Sequence, residues 1–188
     1  MDADFEFKPL KLAQLGDAES VFGDCGDGRH CWCSYWYRSQ HDYKAGWGEG
    51  NHQFFRKLLH SGATPGLLAY RGTAPAGWCG LAPRHHFDRL NRSRSFAPVD
   101  STPVWALNCF IVKKDFRRQG LLKKMIAAAV KFAGDHGAEC VEAYPVDALR
   151  KHNSAELYVG TLSAFEQTGF VEVARRLPSR PIVRLRLK

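Results

Sequence analysis

The sequence predicts a mixed α/β fold in which a parallel pair of strands flanks one amphipathic helix. Three observations predict it. PVWALNCFIVK (residues 103–113) is a long, almost wholly apolar run of the kind found in a strand buried on both faces. Shortly after it, Leu122, Met125, Ile126, Ala129, Val130 and Ala133 recur at helical spacing, with Lys124, Lys131 and Asp135 on the other side. CVEAYP then reads as a further strand, and strand, helix, strand in that order make a parallel unit.

The other elements fall in order around this unit. FEFKPL (residues 5–10) alternates well enough for a first strand, and residues 16–50 are rich in glycine, cysteine and aromatics, with helical parts that the pattern does not delimit. In NHQFFRKLLHSG, Phe54, Phe55, Leu58 and Leu59 share a helical face, and Gly62 supplies an end. GLLAYRG and PAGWCGLAP read as a β-hairpin turning at Thr73, Ala74 and Pro75. Residues 84–101 are polar, basic and irregular, which predicts an exposed loop. Gly137 stops the central helix. A long connection, residues 147–159, leads to a short helix, TLSAFEQT, ended by Gly169, and FVEVARR and RPIVRLRLK close the chain as strands.

A chain of 188 residues suits one domain over residues 1–188, large enough to bury a full core. Its 45% apolar and 24% charged content is that of an ordinary soluble protein. No window approaches the roughly 18 apolar residues of a membrane span, and MDADFEFKPLK lacks a basic head before an apolar run. Six cysteines without such a leader read as reduced thiols, so a cytoplasmic protein with no membrane partner is expected. The net charge of +8 favours an anionic partner: nucleic acid, an anionic surface or a phosphorylated cofactor.

Two stretches carry chemistry. In HCWCSYW (residues 30–36), Cys31 and Cys33 stand closer than the usual zinc clip, and no second Cys/His pair follows Cys25, His30, Cys31 and Cys33 at ligand distance, so no metal is expected. In CFIVKKDFRRQGLLKKM (residues 109–125) a buried strand runs through a tight turn into the central helix. A helix start offers unpaired N–H groups and the positive end of a dipole to an anion. Gly120 lets a phosphate come close to the backbone. Arg117, Arg118, Lys123 and Lys124 surround it with positive charge. A plain basic helix start, with Gly120 easing the turn, is the competing reading.

The same junction resembles the signature of the GNAT family of N-acetyltransferases, Q/R-x-x-G-x-G/A at the start of the central helix. Phe110, Ile111 and Val112 match the strand before it, and Arg117 and Gly120 match the motif. Leu122 stands where Gly or Ala is usual. Phe165 followed by Gly169 and Phe170 matches a second landmark, and the order of elements fits along nearly the whole chain. The resemblance implies a mixed, mostly antiparallel sheet of about seven strands with a parallel fourth and fifth strand that splay apart, flanked by helices. It implies acetyl-CoA as cofactor: Phe110, Ile111 and Val112 pairing with the pantetheine arm, and the loop Arg117, Arg118, Gln119, Gly120, Leu121, Leu122 and Lys123 holding the pyrophosphate, with Phe165 beside them.

The activity implied is direct acetyl transfer to the amine of a small molecule, with no nucleic acid involved. An amine has to lose a proton first, because its reference pKa is about 10. Relatives often place a tyrosine where this chain has Phe165 and a glutamate on the fourth strand, which here has no carboxylate. Tyr144 and Tyr158 are therefore the candidate acids, and Glu142 and Asp147 the candidate bases. Trp32, Tyr35, Trp36, Trp78, Arg84 and Trp105 are the candidate acceptor contacts, with Arg84 able to pair with a carboxylate. A non-catalytic acetyl-CoA sensor and a basic nucleic-acid module that uses residues 84–94 and RPIVRLRLK are the alternatives. Oligomeric state is left open, a homodimer included.

Overall fold

The structure, a computed structural model, describes residues 4–147 and 156–187. Apolar runs set its centre. The strands are β1 (Phe5–Pro9), β2 (Gly66–Arg71), β3 (Ala74–Pro83), β4 (Trp105–Val112), β5 (Cys140–Ala143), β6 (Val171–Leu177) and β7 (Arg180–Arg186). They form one sheet in the order β1-β2-β3-β4-β5-β7-β6. Its pairs are antiparallel except β4 with β5, which run parallel. The fold is the mixed, mostly antiparallel one that the sequence implied.

Helices cover both faces, as the nearly continuous apolar character of β3 and β4 requires. On one face lies α6 (Leu121–Asp135), whose Leu121, Met125, Ile126, Ala129 and Ala133 are buried against Leu81, Leu107 and Val141. On the other face, α1 (Leu15–Gly23) and α4 (Glu49–His60) press Phe22, Phe55 and Leu59 onto Leu68, Trp78 and Ile111. Burying each such side chain contributes about 1.5–3 kcal/mol before entropy is counted. The short helices α2 (Gly28–Cys31) and α3 (Gln40–Ala45) link α1 to α4.

Three expectations need correction. The hairpin turns at Gly72 and Thr73, because Arg71 pairs directly with Ala74, and Gly72 takes the positive φ of 59° that so tight a turn needs. Residues 84–101 are not an exposed loop. They include α5 (Asp88–Asn91) and bury Phe87, Leu90 and Phe96 in a third apolar cluster with Trp36, Ala106 and Tyr144. Arg184, within the RPIVRLRLK stretch read above as a basic surface a nucleic-acid module would use, is 5% exposed and pairs with Glu142 and Asp100.

One feature of the sheet positions the site. β4 and β5 pair only through Trp105, Ala106 and Leu107 with Val141, Glu142 and Ala143. A register shift opposite Gly80 and Leu81 then bulges β4 at Asn108, while Tyr144 and Pro145 leave the sheet and Val146 pairs with Thr161 instead. Beyond Leu107 the two strands splay, and no strand among the described residues covers that edge of residues 108–112. Among the described residues no helix is long and apolar enough to cross a membrane.

Candidate active site

The turn before α6 forms an anion cradle. Gly120 caps the helix with φ 73°, carries no capping side chain, and a Cβ built there would meet nothing within 4 Å. The N–H groups of the first helical turn are therefore left without intrahelical partners next to open space. Arg118 also takes a left-handed φ of 60°, a conformation that costs a non-glycine residue about 1–2 kcal/mol. Such strain concentrates at functional loops. Arg118 and Lys123 are exposed and have no ion-pair partner among the described residues. Arg117 is turned away from the cradle: its Nε donates to the Val112 carbonyl at 3.0 Å, and an Nη lies 3.8 Å from Cys25 Sγ. Gln119 likewise donates back to the Asp115 carbonyl at 2.8 Å. Leu121 is buried beneath the cradle and Leu122 is half-buried.

The free edge of β4 lies beside this turn. Phe110 packs on the α6 side, its ring 6.0 Å from that of Phe165, which is fully buried. Ile111 faces the opposite side, where Cys109 and Tyr158 join it. Tyr158 sits on a short turn, Glu156–Val159, that returns the chain toward β4. Burial, with smaller contributions from Cys25 and Asp27, pushes its hydroxyl pKa up to about 12. It stays a proton donor throughout the neutral range.

A cavity of about 430 Å³ opens at that edge. Its walls include Tyr35, Trp36, Tyr43, Trp47 and Phe96, with Asn108, Cys109, Ile111 and Tyr158 on the β4 side, and Asp27, Arg89 and Arg180 as charged groups. The HCWCSYW segment lines it because of one local device. Trp32 and Cys33, straight after α2, both take left-handed φ values of 49° and 48°. The reversal sends Trp32 into the core, stacked on His52 with ring centres 3.9 Å apart, and leaves Cys31, Cys33, Tyr35 and Trp36 on the cavity side. Gly80 makes room for it, since a Cβ there would come within 2.8 Å of Cys33 Sγ. Trp36 Nε1 donates to the Asn108 carbonyl at 3.1 Å, which ties the segment to the β4 bulge. Asn51, fully buried, donates to the carbonyls of His30 and Tyr43 and accepts from Arg38 at 2.7 Å, bracing the wall from behind. Among the described residues no three His, Cys, Asp or Glu side chains form a group able to hold a metal ion.

Several residues singled out in the sequence lie away from this cavity. Trp32 and Trp78 are core residues under α1 and α4. Trp105 packs on the α6 face, its ring 6.1 Å from Phe132. Arg84 is 8% exposed and holds Glu142 at 2.8 Å, the Tyr144 hydroxyl at 2.6 Å and the carbonyls of Leu90 and Phe96. That leaves its guanidinium no reach toward an acceptor carboxylate. Tyr144 is fully buried, and burial first, then the Glu142 charge, drives its pKa well above the usual phenol value. It does not line the cavity. Glu142 is locked between Arg84 and Arg184, and Asp147 is held by Arg175 at 2.7 Å; neither lines the cavity. Conversely, Tyr43, Trp47, Arg89, Phe96 and Asn108 line the cavity without any sequence signal that distinguished them from neighbouring polar and aromatic residues.

Comparison with solved structures fits this architecture. The chain superposes on the PaiA N-acetyltransferase of Thermoplasma acidophilum in complex with coenzyme A with a TM-score of 0.54, at 14% identity, over 97% of this chain and 99% of that one. A GNAT-family acetyltransferase from Listeria monocytogenes gives 0.60, at 13% identity, over 97% and 95%. An acetyltransferase from Thermus thermophilus gives 0.54, at 16% identity, over the full length of both. At such identities these likenesses define an acetyltransferase fold. Residues 29–160 match the model of the acetyltransferase (GNAT) family, and the chain belongs to that family. Curated protein sequences give no match to it.

Proposed function

We propose that the protein is an acetyl-CoA-dependent N-acetyltransferase whose acceptor is a small-molecule amine. The observation that carries this reading is the junction of three features: the cradle at Gly120, the uncovered edge of β4, and the aromatic cavity that opens on that edge. The cradle suits a pyrophosphate on its own geometry. It combines open space over a side-chain-free helix cap with two cations, Arg118 and Lys123, that have no ion-pair partner among the described residues. In this reading the backbone of Phe110, Ile111 and Val112 takes the pantetheine arm like an added strand.

Bound acetyl-CoA supplies an acetyl thioester open to attack by an amine. The chain's own groups do the rest. Along an uncovered strand edge alternate N–H groups point outward, so one of the N–H groups near Phe110 or Ile111 donates to the carbonyl oxygen as negative charge builds on it. Tyr158, protonated at neutral pH and lining the cavity beside Cys109, gives its proton to the departing sulfur. Asp27, the carboxylate among the lining residues, accepts the amine's proton. Tyr35, Trp36, Tyr43 and Trp47 enclose the acceptor, and a volume of about 430 Å³ suits a small molecule.

The test is calorimetric titration of acetyl-CoA followed by thiol release with a panel of amines. Saturable binding and amine-dependent release support the proposal. Binding without release under any amine marks a sensor, and absence of binding overturns the reading outright.

A further inference from the structure

The cavity contains a cation that no carboxylate among the described residues pairs with. Of its two arginines, Arg180 is engaged: Nε and Nη2 donate to the Tyr144 carbonyl at 3.2 and 2.9 Å, and the guanidinium lies 5.2 Å from the centre of the Phe96 ring. Arg89 differs. Its guanidinium lies over Tyr35 at 4.1 Å and Tyr43 at 5.3 Å, and Nε donates to the Arg38 carbonyl at 3.3 Å. Its Nη2 is buried and has no acceptor among the described residues, and no carboxylate pairs with it, Asp27 included. Leaving a charged N–H buried and unpaired costs more than leaving a neutral one so.

A second orphan donor stands in the same wall. Asn108 is 2% exposed, sits at the β4 bulge where the strands part, and its Nδ2 has no partner among the described residues. Both donors call for acceptors from a bound molecule: an oxygen at Arg89, and at Asn108 an oxygen or the lone pair of a neutral amine. A planar guanidinium matches a carboxylate in geometry as well as charge. The rings of Tyr35, Tyr43, Trp47 and Phe96 favour an aromatic frame between these points.

We infer that the cavity takes an aromatic amine that also carries a carboxylate, and that Arg89 holds the carboxylate. This rests on the acetyltransferase reading for the fate of the amine, but not for binding itself. The amine faces the β4 edge, where Asn108 and Cys109 lie, and the carboxylate faces α5. With the ring among the tyrosines, the molecule satisfies the Arg89 Nη2 donor that the described residues leave without an acceptor.

Matched probes test this: 4-aminobenzoate against aniline, and 4-(aminomethyl)benzoate against benzylamine, each titrated into the wild-type protein and then assayed for acetyl-CoA-dependent thiol release. A charge-assisted hydrogen bond of about 1.5–3 kcal/mol predicts a preference of roughly 10- to 100-fold for the carboxylated member of each pair. Arg89→Gln erases that preference, chiefly through binding and KM. Arg89→Lys, which keeps the charge but loses the fork, restores part of it. Melting curves verify that both variants fold.

Equal binding of the paired probes to wild-type protein overturns the inference, as does an Arg89→Gln variant that weakens both members of a pair equally. The two readings fail separately. If acetyl-CoA binds and the carboxylated probes show no preference, this inference falls and the activity stands. If the carboxylated probes bind through Arg89 and acetyl-CoA does not bind, the carboxylate site stands and the activity falls.

Discussion

Replacing Gly120 by glutamate separates the cradle's two roles, shaping the turn and receiving an anion. At φ 73° any side chain is strained, by about 1–2 kcal/mol. A Cβ there meets nothing within 4 Å, so no clash adds to that strain. A carboxylate at the start of α6 gains about 0.3–1 kcal/mol from the helix dipole, which offsets part of it. Net destabilisation is therefore about 1 kcal/mol, or a fall in Tm of about 2–4 °C for a chain of this size. Binding behaves differently. A charge about 4 Å from one phosphate charge costs about 1 kcal/mol in water and about 4 kcal/mol at the dielectric typical of a protein surface. That predicts a loss of affinity for coenzyme A between about 5-fold and 10³-fold. Gly120→Gln carries the same bulk and strain without the charge and serves as the reference. Calorimetric titration at two salt concentrations, with melting curves alongside, reads both quantities. The glutamate variant binds far more weakly than the glutamine variant, and the gap narrows at high salt. Equal affinity in the two variants would rule out the cradle as the anion site.

Three further outcomes are expected. Tyr158→Phe lowers kcat by about 10²-fold while leaving the KM for acetyl-CoA nearly constant, and an unchanged kcat removes Tyr158 from the proton-donating role. Glu142→Ala strands Arg84 and Arg184 in the interior and costs about 3–5 kcal/mol in urea denaturation; a loss below about 1 kcal/mol contradicts the structural role given to this carboxylate. The Asp100 carboxyl is held down to about 2, first by the Thr102 backbone N–H and then by Arg184, against an ordinary value of 3.8. A depressed carboxylate contributes stability fully above its unfolded pKa and loses it as pH falls through the folded one. Stability thus declines between about pH 4 and pH 2, and Asp100→Asn flattens that limb. A limb identical in wild type and variant rules the contribution out.

Much of the scaffold is legible in the sequence because it is written in long periodic patterns. The apolar run of β4, the helical spacing of α6, and Gly62, Gly137 and Gly169, all at positive φ, are local signals that the fold preserves. Gly120 belongs with them. The cavity wall is less legible, since tryptophan and tyrosine do not announce which side of a turn they will occupy. The left-handed backbone at Trp32 and Cys33 decides that Trp32 enters the core and Tyr35 reaches the cavity, and nothing in the composition of HCWCSYW requires it. Arg84, Tyr144 and Arg184 mislead for another reason. Their partner, Glu142, lies on β5, distant in sequence from both arginines, so ion pairing that turns exposed-looking charges inward appears only in the sheet order. Arg89 escapes notice within a stretch that reads as a solvated basic loop until Phe87, Leu90 and Phe96 fold it down.

Cradle, strand edge and cavity matter together only if they move an acetyl group onto an amine. Coenzyme A release from acetyl-CoA by the purified protein, followed as thiol formation while the amine concentration is raised, measures that transfer. The expected rate depends on amine, saturates with it, and yields one N-acetylated amine per thiol. A rate that stays at the no-amine background across amines that fit the cavity would count against acetyl transfer at this site.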